Sequence, residues 1–416
     1  MSVKERVAPA SLFDPAVQAC PYQHYKWLHD EAPVYWDAEI GAHVISKYET
    51  IRALALDTET FSNLGMLTAP ARSSAAKQVD AIMDTTWRSV PLLVANDPPS
   101  HTKYRRISNT ILSMQRMKAA RPLAEMTIKR YLDPFLAKGG GEFIHEVAAP
   151  VPVAIICEML GIPEAMQHKC REWSDALMDS LCGMASAERE VECANLFVER
   201  QNYFAAIIER IRKDGGPEDQ MLTGVALART DDGELLSMAE ALTFCEQLLV
   251  AGGETTTDSM GLGMRQLAER PELLAALRDN EARVETFVEE ILRLYAPPQG
   301  AFRIVTRDTE IEGVPIKAGG KIMLRWGAGN RDEDVFPRSG EIDLSRANAR
   351  NHLTFGFGIH MCQGAPLARI ELAILFAEVA KRVRTLSIDA SEGGAVNKKT
   401  VMNMGLVSLP LHIELL

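Results

Sequence analysis

The chain has 416 residues, 47% hydrophobic and 24% charged, which supplies a large core and excludes a disordered protein. Its formal net charge of -11 excludes a general nucleic-acid or anionic-membrane binder while leaving room for local basic patches. Seven cysteines, an odd number with no CxxC pair, exclude a disulfide framework and a compact zinc site; six read as small hydrophobes in a reducing compartment, and Cys362 is set apart by its neighbours.

From Met1 to Tyr35, Lys4, Glu5, Arg6 and Asp14 mix with Pro9 and Pro21, and no apolar run has the length of a signal peptide or membrane anchor, so a cytoplasmic protein is expected. Short strands are predicted at 34–36 and 43–46. The stretch 64–97 is less regular, with Met66, Leu67, Pro70, Met83, Trp87, Pro91 and Leu92 among polar residues, and is expected to form a mobile lid. Helical spacing of apolar residues then runs over 117–136, 150–160, 194–213, 238–267, 283–294 and 364–383. Further strands are predicted in a 309–316 hairpin, at 321–326 and within 400–413. Gly139-Gly140-Gly141 and Gly215-Gly216-Pro217 read as helix-to-helix loops, and no repeat is present. The expectation is one domain over 1–416, mainly α with small peripheral β-sheets.

Three stretches carry chemistry. Ala251-Gly252-Gly253-Glu254-Thr255-Thr256-Thr257 places two glycines and three β-branched residues inside a helical run, which predicts a kink; the Lys-Ser/Thr element of a phosphate loop is missing. Glu290-Ile291-Leu292-Arg293 sets an acid and a base three apart on one helix face, the spacing of an ordinary ion pair. Phe355-Gly356-Phe357-Gly358-Ile359-His360-Met361-Cys362-Gln363-Gly364 ends where a strong helical pattern begins. Gly356 and Gly358 permit a tight backbone close to a flat ligand, and the helix starting near Gly364 directs its positive end at Cys362, which lowers a thiol pKa. His352, His360 and Cys362 lack a fourth ligand at zinc-site spacing.

The loop resembles the cytochrome P450 haem signature, Phe-x-x-Gly-x-x-x-Cys-x-Gly, at every position from Phe355 to Gly364, and the match runs on through Leu367, Ala368 and Arg369. The resemblance implies the triangular-prism P450 fold and haem b held by Cys362, whose electron donation favours O–O cleavage. Glu290 and Arg293 match the family's Glu-x-x-Arg pair, with Arg346 completing a buried Glu-Arg-Arg network of structural rather than chemical role. Ala251, Gly252, Glu254 and Thr255 match its oxygen-binding motif: the opened turn makes room for dioxygen, the Thr255 hydroxyl hydrogen-bonds it, and Glu254 relays protons from solvent. His101 and Arg105, four apart in Asp97-Pro98-Pro99-Ser100-His101-Thr102-Lys103-Tyr104-Arg105-Arg106, match propionate contacts, as do Arg303, His360 and His352.

The resemblance also implies a mostly apolar pocket, with Trp87, Leu248, Ala251, Ala301, Phe302, Met402 and Met404 as lining residues and Gln247 and Gln299 as polar anchors. Such a pocket suits a terpenoid, steroid, fatty or aromatic substrate, with Arg72 or Arg88 available to clamp a carboxylate. No fused reductase follows the cysteine loop, so a ferredoxin-type donor with its reductase is implied, docking on Lys103, Arg106, Arg116, Lys118 and Arg346. The leading expectation is a monooxygenase inserting one oxygen atom into a C–H bond. Two alternatives stand: a peroxide-driven peroxygenase, which typically lacks the acid–threonine pair present at Glu254-Thr255, and a haem-binding sensor without turnover.

Overall fold

Helices with one apolar face build most of the chain. In the computed structural model, which describes residues 11–65, 74–182 and 185–416, every predicted helical run is a helix. The 117–136 run divides at Ala120 into Met114–Ala119 and Arg121–Ala137, with Pro122 in the first turn of the second, where its missing N–H is harmless. The predicted kink divides 238–267 into Met238–Ala251 and Gly253–Glu269. A capping box starts the first half: the Ser237 hydroxyl accepts from the Glu240 N–H at 3.3 Å, and the Glu240 carboxylate accepts from the Ser237 N–H at 2.7 Å. The helix predicted to reach 383 stops at Arg382, because Val383 opens a strand.

The sheets are small. One has the order β1 (Val34–Asp37), β2 (Ala42–Ile45), β8 (Lys321–Leu324), β5 (Ala301–Val305) and β3 (Phe61–Ser62), with β2 and β8 parallel and the other pairs antiparallel. β6 (Thr309–Ile311) and β7 (Val314–Ile316) form the predicted hairpin, and β10 (Val396–Asn397) pairs with β11 (Leu406–Ser408). The last sheet corrects the reading of Gly139-Gly140-Gly141 as a loop: β4 (Gly140–Glu142) pairs with β12 (Pro410–Leu415), which also pairs with β9 (Val383–Ile388). Glycine is needed there because a Cβ on Gly140 would sit 2.0 Å from the Leu411 carbonyl oxygen. In the expected lid, Ala76–Met83 is helical, while Met66, Leu67, Pro70 and Arg72 lie outside the described residues.

The main core gathers around the kinked helix, with Phe135, Phe143, Trp173, Phe204, Phe244, Phe287 and Phe376 buried in it. Gly253–Glu269 packs on both Arg283–Tyr295 and Ala365–Arg382. From Arg283–Tyr295, two adjacent acids fix the approach to Cys362. Glu290 binds Arg293 at 2.7 and 3.0 Å and lies 3.0 Å from Arg346, while Arg293 also donates to the carbonyls of Asn330, Ser339 and Glu341. Asn330 in turn holds the Leu353 N–H and the Thr354 hydroxyl, so the start of the cysteine loop is tied to this network. Glu289 grips both ends of the loop, binding His352 at 3.0 Å, Arg350 at 3.3 Å and Arg369 at 2.7 and 3.0 Å. Burial opposes the Glu289 charge, but His352 and Arg369 outweigh it and hold the carboxyl at about 2.

Candidate active site

Cys362 stands between the loop and the start of the Ala365–Arg382 helix, its N–H donating to the Phe355 carbonyl at 2.8 Å; the residue is reached by solvent, but enough protein surrounds Sγ for burial to govern the thiol. Gly358 has φ of 72°, and a Cβ there would come 3.0 Å from the Ala55 carbonyl oxygen, so glycine lets the loop turn beneath the Tyr48–Leu56 helix. Burial raises the Cys362 thiol, while the N–H groups of Gly364 and Ala365 and the charges of Arg105 and Arg369 pull it down. The expected helix-start effect is therefore present but outweighed in the free thiol; a coordinated cation reverses that balance.

Beside the cysteine, four basic side chains meet. His101 and Arg105 lie on one face of Ser100–Ile111; the His101 and His360 ring centroids are 4.3 Å apart, and Arg303 reaches in from β5. Among the described residues, buried His101 Nε2 has no hydrogen-bond partner, and neither ring nitrogen of His360 has a well-formed one. Arg303 is 4% exposed, and its hydrogen bond goes to the carbonyl of its neighbour Phe302. Burial lowers Arg303 to about 10 and, with the His101 and Arg303 charges, lowers His360 to about 3. Asp97 is the acid that faces His101, Arg303 and His360, but none of the four basic groups forms an ion pair among the described residues, and Arg105 and Arg303 reach only the carbonyls of Met361 and Phe302, an arrangement that suits a ligand bringing carboxylates. His352 does not join them, contrary to expectation: it is buried on Glu289, with its ring 5.6 Å from Phe355.

The kinked helix completes the site. Gly252, with φ of -91° and ψ of -18°, sits at the break; Ala251 and Gly252 are exposed, and the Thr255 hydroxyl faces the Ala251 carbonyl at 3.5 Å. Glu254 is bound by Lys398 at 2.7 Å and Asn403 at 3.2 Å, two partners that no local motif signals.

Four expected pocket residues turn elsewhere. Gln299 binds Tyr25 and the carbonyls of Tyr295 and Ala296, and together with Met404 it lines a separate cavity of about 270 Å³ near the N-terminal segment. Phe302 alternates with Arg303 along β5, so it faces away from the basic group and packs, with Met402, against Leu12, Tyr25 and Met323. Ala301 shares the Arg303 face; Leu248 is buried, Gln247 half-buried and Trp87 exposed at 38%. Arg88 pairs with Asp84, four residues earlier at the end of the Ala76–Met83 helix. Of the expected docking cations, Arg346 is buried on Glu290 and cannot serve; Lys103 pairs with Glu240, Arg106 with Asp231, Arg116 holds the Ile111 and Glu218 carbonyls, and Lys118 is exposed.

A further buried acid, Glu371 on Ala365–Arg382, was not foreseen. It is 3% exposed, Oε2 has no partner among the described residues, and burial raises its carboxyl to about 8. A folded-state value above the unfolded one means stability that is complete below about 4.5 and is lost as pH rises through about 8. Glu371→Gln is therefore expected to match the parent protein in melts at pH 5 and to exceed it at pH 8.5 by on the order of a few kcal/mol. A gap that does not widen with pH would show that the carboxyl titrates normally.

A soft thiol at a helix start, beside basic groups that form no ion pair among the described residues, in a fold whose kinked helix packs on that same helix, fits a flat, metal-bearing dicarboxylate: the donor set of a haem protein. Comparison with known proteins narrows this. The cytochrome P450 family model matches residues 177–416. The chain is 30% identical to 6-deoxyerythronolide B hydroxylase of Saccharopolyspora erythraea, covering 94% of this chain and 96% of that one, and 29% identical to the steroid C26-monooxygenase of Mycobacterium tuberculosis strain H37Rv, covering 93% and 92%. Among solved structures, cytochrome P450 CREJ in complex with (4-ethylphenyl) dihydrogen phosphate superposes with a TM-score of 0.88 at 30% identity, over 98% of this chain and 99% of that one. The chain belongs to the cytochrome P450 family: it is an oxidoreductase of the monooxygenase type, and its cofactor is haem b.

Proposed function

We propose that this P450 is a single domain over 1–416 that inserts one atom of dioxygen into a C–H bond of a hydrophobic small molecule, using electrons from a separate ferredoxin and reductase. The observation that carries the reading is the Cys362 thiol at a helix start beside His101 and His360, whose ring nitrogens lack well-formed partners among the described residues, and beside the buried Arg303, which reaches only the carbonyl of its neighbour. Haem b, when bound, supplies dioxygen activation, favoured by an electron-rich thiolate ligand. Cys362, framed by Phe355, Gly356 and Gly364, would hold the haem iron through its sulfur, and His101, Arg105, Arg303 and His360 would hold the haem carboxylates. Ala251 and Gly252 leave space at the kink. Thr255 delivers protons through its hydroxyl and Glu254 replenishes them, which favours electron-driven turnover over the peroxygenase alternative. Trp87, Gln247, Leu248, Ala251 and Ala301 bind the substrate and exclude water.

The names of the relatives, a hydroxylase and a steroid monooxygenase, and an ethylphenyl phosphate ligand support a terpenoid, steroid, fatty or aromatic substrate class without selecting within it. Lys118, exposed, and Arg106 are the basic residues proposed to meet the ferredoxin. We place the protein in the cytoplasm: Cys20, Cys157, Cys170, Cys193, Cys245 and Cys362 are free, and among the described residues no helix is long and apolar enough to cross a membrane.

Reduction of the purified protein followed by carbon monoxide tests the ligand assignment. A strongly red-shifted Soret band is expected. A histidine-type band, or a preparation that takes up no haem, would remove Cys362 from its role.

A further inference from the structure

The kinked helix carries a second acid that the reaction as proposed does not use. Asp258 lies one turn beyond Glu254 and is 0% exposed; a Cβ on Gly405 would sit 2.0 Å from its Oδ1, so backbone presses directly on the carboxylate. Lys398 Nζ arrives from the C-terminal segment and reaches both acids, 2.7 Å from Glu254 Oε1 and 2.8 Å from Asp258 Oδ1. Apart from Lys398, neither Asp258 oxygen has a partner among the described residues. Asn403 donates to the other oxygen of Glu254, and Asp175, with Arg171 beside it, faces the group from the Gln167–Cys182 helix.

Two carboxylates on one ammonium leave a net negative charge unless one of them is protonated, and an uncompensated buried charge is costly. The more buried acid is where the proton belongs. Burial lifts the Asp258 carboxyl to about 7 against the pull of Lys398, and Glu254 adds to the rise. Burial disfavours the Lys398 ammonium, but Asp258 and Glu254 outweigh it and raise its pKa.

We propose that Lys398 is the positioning residue of the proton relay and that Asp258 is its inner proton store, recharging Glu254. This rests on the roles given above to Glu254 and Thr255. In the resting cluster Asp258 is a carboxylic acid, Glu254 a carboxylate and Lys398 an ammonium. The Asp258 proton passes to Glu254 by way of Lys398 Nζ, which gives a proton to Glu254 Oε1 and takes the one from Asp258, leaving the Asp258 carboxylate against the restored ammonium. Glu254 then gives that proton to the Thr255 hydroxyl oxygen as the hydroxyl proton moves on to dioxygen. A solvent proton restores Asp258; no electron moves in these transfers. Lys398 and Asn403 also line the cavity of about 270 Å³, which provides the solvent side of the cluster.

Infrared spectra of the haem-loaded protein and of Asp258→Asn, taken from pH 5 to 9, test the store directly. The difference is expected to contain a protonated-carboxyl stretch that disappears around pH 7, and Lys398→Met is expected to move that disappearance up by at least one pH unit, while Lys398→Arg leaves it near the parent value. No such stretch at pH 6, or a midpoint unmoved by Lys398→Met, overturns the proposal. Subtraction of Asp258→Asn removes the contribution of Glu371, and Asp258→Asn, nearly isosteric, keeps the measurement open if Lys398→Met folds poorly. A second readout uses a surrogate ferredoxin, its reductase and NADPH with no added substrate, and counts NADPH oxidised per dioxygen, which is about 1 when peroxide is released and about 2 when water is formed. Lys398→Met is expected to fall to the Thr255→Ala value. If Thr255→Ala falls and Lys398→Met stays with the parent, the inference fails and the relay stands; if Thr255→Ala does not fall, the relay reading fails, and the infrared titration alone decides the place of the proton.

Discussion

Cys362→His is expected to replace the red-shifted reduced-carbonyl band with a histidine-type band and to lower monooxygenase turnover by on the order of a thousand-fold or more, about 4 kcal/mol of barrier. The site is shaped for sulfur. The Gly364 and Ala365 N–H groups point at Sγ, and a Cβ at Gly364 would already lie 3.8 Å from it, so an imidazole has to enter where those donors expect a small acceptor. Carbon monoxide spectra and product yield measured on the same preparation check both parts. A red-shifted band surviving the substitution would assign the ligand to another cysteine, yet Cys157, Cys170, Cys193 and Cys245 are all buried in the main core, and Cys20 is exposed at the N-terminal segment.

The features legible in the sequence are those whose physics is local. A glycine-framed cysteine ahead of a helix, a Gly-Gly-Glu-Thr interruption inside one and His101 four residues before Arg105 are each contained within a turn or two, so the folded site keeps their order. What escaped reading depends on contacts between distant segments. Lys398 meets Glu254 across 144 residues, and nothing near Lys398 announces it. His352 has the right type and place for a propionate contact, but the acid next to the Glu-x-x-Arg glutamate claims it first. Phe302 fails for a simpler reason: β5 was not recognised as a strand, and once residues alternate, placing Arg303 toward the site turns Phe302 away. Gly140 likewise could be recognised as a strand residue only once β12 was known to lie against it.

Arg293→Lys is expected to destabilise the fold by about 3–5 kcal/mol, a large share of ordinary net stability, and to leave little haem-loaded protein. Arg293 is 0% exposed and uses its guanidinium on both Glu290 oxygens and on the carbonyls of Asn330, Ser339 and Glu341. A lysine ammonium has three donors and no planar fork, so it cannot serve that set, and a buried carboxylate and backbone carbonyls lose partners. The carbonyls also distinguish a structural hub from a simple ion pair. If the Glu290–Arg293 attraction were the whole contribution, replacing both with leucine would restore stability, as it can for isolated buried pairs. Here the double substitution strands the Asn330, Ser339 and Glu341 carbonyls and leaves Arg346 without its carboxylate, so it is expected to be no better than Arg293→Lys. Thermal melts and haem content of the two variants decide between these. Recovery in the double variant would reduce the network to one salt bridge, whereas its failure would mean that the Asn330, Ser339 and Glu341 carbonyls and Arg346 depend on Glu290 and Arg293 as a unit, which reaches the residues leading into the Cys362 loop through Asn330 and its grip on Leu353 and Thr354.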